Sequence, residues 1–149
     1  MSNNCIYEKS LKLDEVEDLT EFLAEQLNLG GVLFLNGDLG TGKTTLIKDL
    51  VKKLGSQDEV SSPSYSIINH YESEDFTIFH MDLYRINGHE ELVDIGIEEY
   101  FNQNAVCIVE WPDLLHGLVQ ADYLLEIISN EPQSRLYRVI DVNNALDSN

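Results

Sequence analysis

The sequence is poor in basic residues. Nine lysines and arginines stand against 27 aspartates and glutamates, which gives a formal net charge of −18. Proteins that hold nucleic acid by themselves draw much of their affinity from lysine and arginine contacts to phosphates. The one local group of basic residues is Lys43, Lys48, Lys52 and Lys53. The acidity either serves only solubility or means that another chain binds any RNA involved. In both cases it argues against strong direct RNA binding.

Cysteines and long apolar runs are also scarce. The two cysteines, Cys5 and Cys107, do not predict a disulfide, and a reduced, cytoplasmic chain is the simplest expectation. No apolar run approaches the roughly 20 residues of a membrane helix. The first residues show no basic segment followed by an apolar one, so no secretory signal is expected. Without repeats or linkers, residues 1–149 are predicted to form a single domain, with 143–149 as a frayed tail.

The hydrophobic pattern predicts alternating strands and helices. The first helix is expected to begin at Asp14, with Asp14 and Glu17 as a capping box. A second helix should end at Gly55, and one or two short helices should lie within 89–101. Strands are predicted at 6–13, 32–35, 64–71, 76–86 and 105–109, and on both sides of the turn at 130–133. This order predicts an α/β fold with a parallel sheet centre and antiparallel edges.

The most informative motif is the segment GDLGTGKT, which begins at Gly37 and fits G-x-x-x-x-G-K-[ST]. Its glycines allow successive backbone N–H groups to point at one anion, and the next helix adds the positive end of its dipole. An apolar strand before the motif and an amphipathic helix after it disfavour the alternative, a mere glycine-rich turn. We expect a nucleoside triphosphate to contact Leu39, Gly40, Thr41, Gly42, Lys43, Thr44 and Thr45.

The pattern also predicts individual roles within the motif. Lys43 should reach the β- and γ-phosphates, and the Thr44 hydroxyl should bind Mg²⁺. Such a site also needs a carboxylate at the end of a neighbouring strand, to orient Mg²⁺ or the attacking water. Glu110 follows the apolar strand AVCIV, and Asp82 shares one predicted strand face with Ile78. For either acid the alternative is a solvated carboxylate at a strand end.

Three further positions leave alternatives open. His80 is expected to pair with a neighbouring group rather than to bind metal, since no second histidine stands at ligand spacing. Trp111 fits a core anchor or a partner-facing hot spot equally well. Ser62 and Ser64 could contact phosphate, or they could simply open a hairpin.

Five segments occur together, in this order: GDLGTGKTT, SPSYS, HMDLYR, DIGIEEYF and CIVEWP. The set resembles the TsaE family, formerly YjeE, the small bacterial ATPases of the threonylcarbamoyladenosine tRNA-modification pathway. The resemblance covers nearly the whole chain. It implies a P-loop NTPase-like three-layer sandwich that binds ATP and Mg²⁺ and hydrolyses ATP weakly alone. It also implies action with the TsaB and TsaD proteins, in which ATP turnover resets the complex between catalytic cycles.

Carried over by position, the resemblance implies roles for individual residues. Thr44 and Glu110 would flank Mg²⁺, and Asp82 would lie beside the γ-phosphate or its attacking water. Leu13 and Ser134 would contact the nucleoside. Catalytic roles are thus expected for Asp82, Glu110 and Lys43.

Three other functions are alternatives to this interpretation. A small-molecule kinase would need an acceptor domain and several arginines, whereas the arginines here are Arg85, Arg135 and Arg138. A GTPase switch is disfavoured because no N-K-x-D tetrapeptide occurs in the sequence. A non-catalytic adaptor gated by nucleotide overlaps with the favoured reading. The few arginines also predict slow hydrolysis by the chain alone, since an arginine finger is worth about 10³–10⁵ in rate.

Overall fold

The computed structural model describes residues 4–37, 43–58, 67–101, 104–129 and 131–143. The strands are β1 (Cys5–Leu11), β2 (Gly31–Asn36), β3 (Ile68–Glu72), β4 (Thr77–Asp82), β5 (Ala105–Glu110), β6 (Tyr123–Ile128) and β7 (Arg135–Asp141). The α-helices are α1 (Glu17–Gln26), α2 (Lys43–Lys53), α3 (His89–Asp94) and α4 (Ile97–Phe101). Short 3₁₀ helices lie at Leu13–Glu15 and Pro112–Leu115.

The seven described strands form one sheet in the order β1-β7-β6-β2-β5-β4-β3. The four central strands, β6, β2, β5 and β4, run parallel to one another. At the two edges β1, β7 and β3 pair antiparallel. The predicted fold class, with its parallel centre and antiparallel edge strands, is therefore confirmed, as are the β3–β4 and β6–β7 hairpins.

The sheet lies between two layers of helix. Helices α1 and α2 pack against each other and cover one face, where Val106 and Ile108 of β5 are fully buried. The alternating residues Cys107 and Val109 face the other side, among the apolar residues of α3, α4 and the Pro112–Leu115 turn. Every residue of β5 is buried, as a continuous apolar run predicts for a strand covered on both faces.

The first helix begins later than predicted. The chain passes through the 3₁₀ turn Leu13–Glu15 before α1 starts at Glu17. The Glu15 carboxylate accepts a hydrogen bond from the backbone N–H of Lys12 (2.8 Å), and the Glu15 N–H bonds the Lys12 carbonyl (2.9 Å). The predicted capping box of Asp14 and Glu17 is therefore wrong. The turn is capped at Lys12, two residues before Asp14, and Glu15 is the acid whose carboxylate accepts the hydrogen bond.

The predicted end of β4 changes, whereas the prediction of one or two short helices within 89–101 is confirmed. Strand β4 ends at Asp82 rather than near residue 86, because a turn follows in which the Ile86 N–H bonds the Leu83 carbonyl (3.1 Å). Residues 89–101 form two helices, interrupted at Gly96, whose φ of +67° is the left-handed conformation that glycine adopts freely. Of the helices that the structure describes, none is long and apolar enough to cross a membrane.

Two predicted segments fall largely outside the described residues. The Ser62–Ser64 segment lies there entirely, and so does 144–149 of the predicted tail. Asn143, where that tail was expected to begin, donates a hydrogen bond from its side-chain amide to Asp122 (2.6 Å).

Candidate functional site

The carboxyl ends of the parallel strands β2, β4, β5 and β6 lie at one edge of the sheet. Strand β2 ends there at Asn36, and α2 begins at Lys43, so the backbone N–H groups of its first turn lie at this edge. A hydrogen bond from Thr20 to Asp49 ties α2 to α1. This is the edge at which open α/β sheets bind their ligands.

The glycine-rich segment itself is described only at its two ends. The predicted phosphate contacts at Leu39, Gly40, Thr41 and Gly42 lie outside the described residues. Thr44 and Thr45 are exposed on the first turn of α2, beside the buried Lys43. Their predicted contacts with metal and phosphate stay predictions.

The Lys43 side chain is only 6% exposed, and among the described residues it contacts Gly37, Glu110 and Trp111. Its Nζ donates a hydrogen bond to the Gly37 carbonyl (2.9 Å) and lies 3.8 Å from Oε1 of Glu110. It also stands 4.5 Å above the centre of the Trp111 ring, at the distance of a cation–π contact. The structure thus brings together two of the three predicted catalytic residues, Lys43 and Glu110.

Glu110 is the last residue of β5, and its side chain is 9% exposed. Its second oxygen, Oε2, lies 2.6 Å from Nε2 of His80, whose side chain is 2% exposed. The two residues meet because β4 and β5 pair in parallel and both side chains point to the α2 face of the sheet. The prediction that His80 pairs with a neighbouring group is confirmed.

Asp82 lies one strand away from Glu110 at the same sheet edge. The two residues are Cα partners in the β4–β5 register. Asp82 is half-buried, and its Oδ1 accepts a hydrogen bond from the backbone N–H of Tyr84 (3.1 Å). Ile78, on the same face of β4, is fully buried against the α1–α2 layer, which confirms the predicted alternation. Both predicted acids therefore lie at the same edge of the sheet, and Glu110 contacts Lys43 at the start of α2.

Trp111 adopts a backbone conformation that is uncommon outside glycine. Its φ of 57° and ψ of 59° place it in the left-handed region. Among the described residues other than glycine, it alone has a positive φ. Its ring contacts both Lys43 and Tyr84, whose ring centre is 4.9 Å away. No sequence pattern predicts this lysine–tryptophan contact, and the one available signal is that Trp111 directly follows Glu110.

Leu13 and Ser134 lie at the same edge of the sheet as Lys43 and Glu110, but next to strands β1 and β7. Leu11 at the end of β1 is the Cα partner of Arg135 at the start of β7, which places Leu13 and Ser134 just beyond the same pair. Leu13 is 54% exposed, and the Ser134 hydroxyl donates to Glu131 (3.3 Å). Their predicted nucleoside contacts stay predictions.

Comparison with known proteins decides the family. The model of the family described as "Threonylcarbamoyl adenosine biosynthesis protein TsaE" matches residues 10–139. The chain belongs to the TsaE family. The resemblance stated from the sequence motifs is therefore confirmed.

Individual relatives agree with this assignment. A Haemophilus influenzae protein named "tRNA threonylcarbamoyladenosine biosynthesis protein TsaE" is 41% identical over 97 residues, which are 64% of this chain and 61% of the relative. A Bacillus subtilis protein of the same name is 35% identical over 120 residues, 80% of this chain and 75% of the relative. The matches thus span about three fifths of the first curated relatives, 61% in Haemophilus influenzae and 62% in Rickettsia felis.

A solved structure supports the fold of this TsaE-family chain. The crystal structure of YdiB from Bacillus subtilis superposes with a TM-score of 0.70 at 27% identity. The superposition covers 99% of this chain and 93% of YdiB. The likeness extends over the whole sheet and both helix layers.

The residues of the site fit a magnesium nucleotide. Mg²⁺ is usually held by one or two carboxylates together with hydroxyls, water and substrate phosphates, rather than by a complete protein cage. Here a threonine hydroxyl begins α2 and two carboxylates end the adjacent strands β4 and β5. In the described part of the chain, no group of three or more metal-binding side chains forms a cage by itself. A lysine ammonium next to a helix N-terminus supplies the complementary charge for phosphate.

Proposed function

We propose that this chain hydrolyses ATP to ADP and phosphate in a Mg²⁺-dependent reaction. We further propose that it acts in the cytoplasm with TsaB and TsaD in tRNA N6-threonylcarbamoyladenosine biosynthesis, where ATP turnover resets the complex. The observation that carries the proposal is the buried contact between Lys43 and Glu110, located where β5 ends and α2 begins. The names of the family and of its curated relatives support the pathway.

Each side chain has a role that its position supports. Lys43 binds the β- and γ-phosphates. Phosphate oxygens then replace the Gly37 carbonyl and Glu110 as partners of the Lys43 ammonium. Thr44 and Glu110 hold Mg²⁺ between the first turn of α2 and the end of β5. When bound, Mg²⁺ neutralises the charge that develops on the phosphate oxygens.

Asp82 and the remaining predicted contacts complete the site. The Asp82 carboxylate, half-buried beside Glu110, orients the attacking water and accepts its proton. Leu39, Gly40, Thr41, Gly42 and Thr45 enclose the phosphates with backbone and hydroxyl groups. Leu13 and Ser134 contact the nucleoside from the same edge of the sheet.

The partners of two arginines support slow turnover by the chain alone. Arg138 bonds Glu126 (3.1 Å), and the Arg135 guanidinium bonds the Ser134 carbonyl (3.2 Å). Both arginines are on β7, separated from β5 by β6 and β2. In this proposal, docking to TsaB and TsaD supplies or orders the missing positive charge.

Single-turnover hydrolysis of γ-labelled ATP tests the proposal. We expect slow release of inorganic phosphate, accelerated by TsaB and TsaD together, and co-purification with them that changes between ATP, ADP and no nucleotide. Equal rates with and without the partners would overturn the partner role, and transfer of the label to a metabolite would indicate a kinase.

The adaptor alternative requires a separate experiment. In a reconstituted modification reaction, Glu110→Gln should stop the reaction after the first cycle, because resetting requires hydrolysis. Continued modification over many cycles with this variant would show that hydrolysis is incidental.

A further inference from the structure

The two oxygens of the Glu110 carboxylate have different partners. Oε1 lies 3.8 Å from the Lys43 ammonium, on the side of the glycine-rich segment. Oε2 lies 2.6 Å from Nε2 of His80, deep between β4 and β5. One oxygen is therefore held within the protein, and the other faces the proposed phosphate site.

The hydrogen-bond pattern assigns the proton on the His80 ring. The carboxylate oxygen is an acceptor, so Nε2 carries the proton and donates it. The other nitrogen, Nδ1, is buried and has no partner among the described residues. The contact with Glu110 therefore runs through a proton on Nε2.

We propose that His80 is a positioning residue for Glu110. Its Nε2–H holds Oε2, which stops the carboxyl group from rotating and leaves Oε1 as the oxygen that faces Lys43. The inference rests on the proposed function, because it assigns Glu110 the role of a Mg²⁺ ligand. Partners that orient a metal-binding carboxylate typically contribute about 10–100-fold to metal affinity or activity.

Three substitutions separate positioning from simple core packing. In His80→Gln the longer side chain retains an amide N–H that reaches the place of Nε2, whereas the shorter His80→Asn does not reach it. His80→Leu removes the donor and keeps an apolar side chain. The matched control is His70→Leu, on the neighbouring strand β3. Among the described contacts, this exposed histidine pairs with the exposed Glu72, and its ring centre lies 5.9 Å from that of Phe79.

The first measurement is the Mg²⁺ dependence of ATP binding by calorimetry. We expect His80→Leu and His80→Asn to raise the Mg²⁺ concentration for half-maximal binding about 10–100-fold. ATP affinity in EDTA should be unchanged, His80→Gln should recover most of the loss, and His70→Leu should match the original protein. In a Glu110→Gln background, His80→Leu should add no further loss, since it acts through Glu110.

The second measurement needs no nucleotide. Ring ¹⁵N shifts should show a proton on Nε2 of His80, and an Nε2 without a proton would overturn the inference even if the Leu variant does not fold. Equal losses from His80→Leu with and without Glu110→Gln would also overturn it. If the original protein lacks Mg²⁺-dependent ATP binding, the proposed function fails together with this inference. If Glu110→Gln weakens binding while folded His80→Leu does not, only the role of His80 fails.

Discussion

Two histidine–glutamate pairs lie on neighbouring strands and differ in environment. On β3, His70 and Glu72 are 3.1 Å apart, with side chains 58% and 63% exposed. On β4 and β5, His80 and Glu110 are 2.6 Å apart, with side chains 2% and 9% exposed. The chemical groups are the same in both pairs, so the pairs differ in their burial and in their neighbouring groups. The buried pair also has an ammonium next to it, that of Lys43.

This difference shows that a histidine–glutamate pair indicates a functional site only when its burial and its neighbouring groups are considered as well. An exposed pair competes with water and contributes about 0–1 kcal/mol. Hydrogen bonds to a buried charged group contribute about 1.5–3 kcal/mol, and the group is costly to leave unpaired. A buried carboxylate at the ligand-binding edge of a parallel sheet is therefore a functional candidate, whereas Glu72 is a surface residue.

The largest expected effect comes from comparing Glu110→Gln with Glu72→Gln. The first substitution removes the buried carboxylate, and we expect single-turnover hydrolysis to fall by about 10²–10⁴-fold, the usual range for a positioned catalytic group. ATP affinity should change much less than the rate. The exposed substitution should leave both quantities unchanged. A fall in affinity without a fall in rate would show that Glu110 binds substrate rather than assisting the reaction.

The two cysteines extend the comparison to chemical reactivity. Burial raises the pKa of the Cys107 thiol from 9.0 to about 12, because the apolar surroundings disfavour the thiolate. At pH 8 this lowers its thiolate fraction about a thousandfold. Iodoacetamide should therefore modify the half-buried Cys5 in the folded protein, and Cys107 only after unfolding. Mass spectrometry of peptides alkylated at pH 8 checks this, and rapid native labelling of Cys107 would contradict its burial.

Lys43→Ala, with Lys9→Ala as its control, tests the ammonium of the site. Lys43 is buried at the start of α2, whereas Lys9 forms an exposed pair with Asp18 (2.9 Å). Charge-assisted contacts contribute about 1.5–3 kcal/mol, so ATP binding should weaken about 10–150-fold in Lys43→Ala. Calorimetry should show no change in Lys9→Ala. Unchanged ATP affinity in Lys43→Ala would refute the phosphate-loop assignment.

The sequence predicts the fold better than it predicts the contacts within the site. The strand β5 is recognisable because a continuous apolar run needs cover on both faces, whatever lies next to it. The contact between Lys43 and Glu110 instead depends on β5 lying beside β2 in the sheet. No local pattern encodes that neighbour. The motif predicted only that an acid at the end of a neighbouring strand would complete the site, with Glu110 and Asp82 as candidates, and the family resemblance then gave these two acids separate roles.

Two features that the sequence did not predict correctly have a similar physical origin. The stacking of Lys43 on Trp111 depends on how the chain turns after β5, where Trp111 takes a left-handed conformation that its residue type does not predict. The start of α1 was misplaced because the segment contains several acids at capping distance. The choice of Glu15 depends on the 3₁₀ turn Leu13–Glu15, in which the Glu15 carboxylate accepts a hydrogen bond from the Lys12 N–H directly after β1 ends.

The smallest expected effect concerns the exposed pair itself. A double-mutant cycle on His70→Ala and Glu72→Ala, measured by urea unfolding, should give a coupling of about 0.2–1 kcal/mol. Added salt should reduce this coupling further, because both side chains are surrounded by water. A coupling well above 1 kcal/mol that resists salt would mean that proximity alone, without burial, makes such a pair strong. The difference between this pair and the His80–Glu110 pair would then be due to the neighbouring Lys43 ammonium rather than to burial.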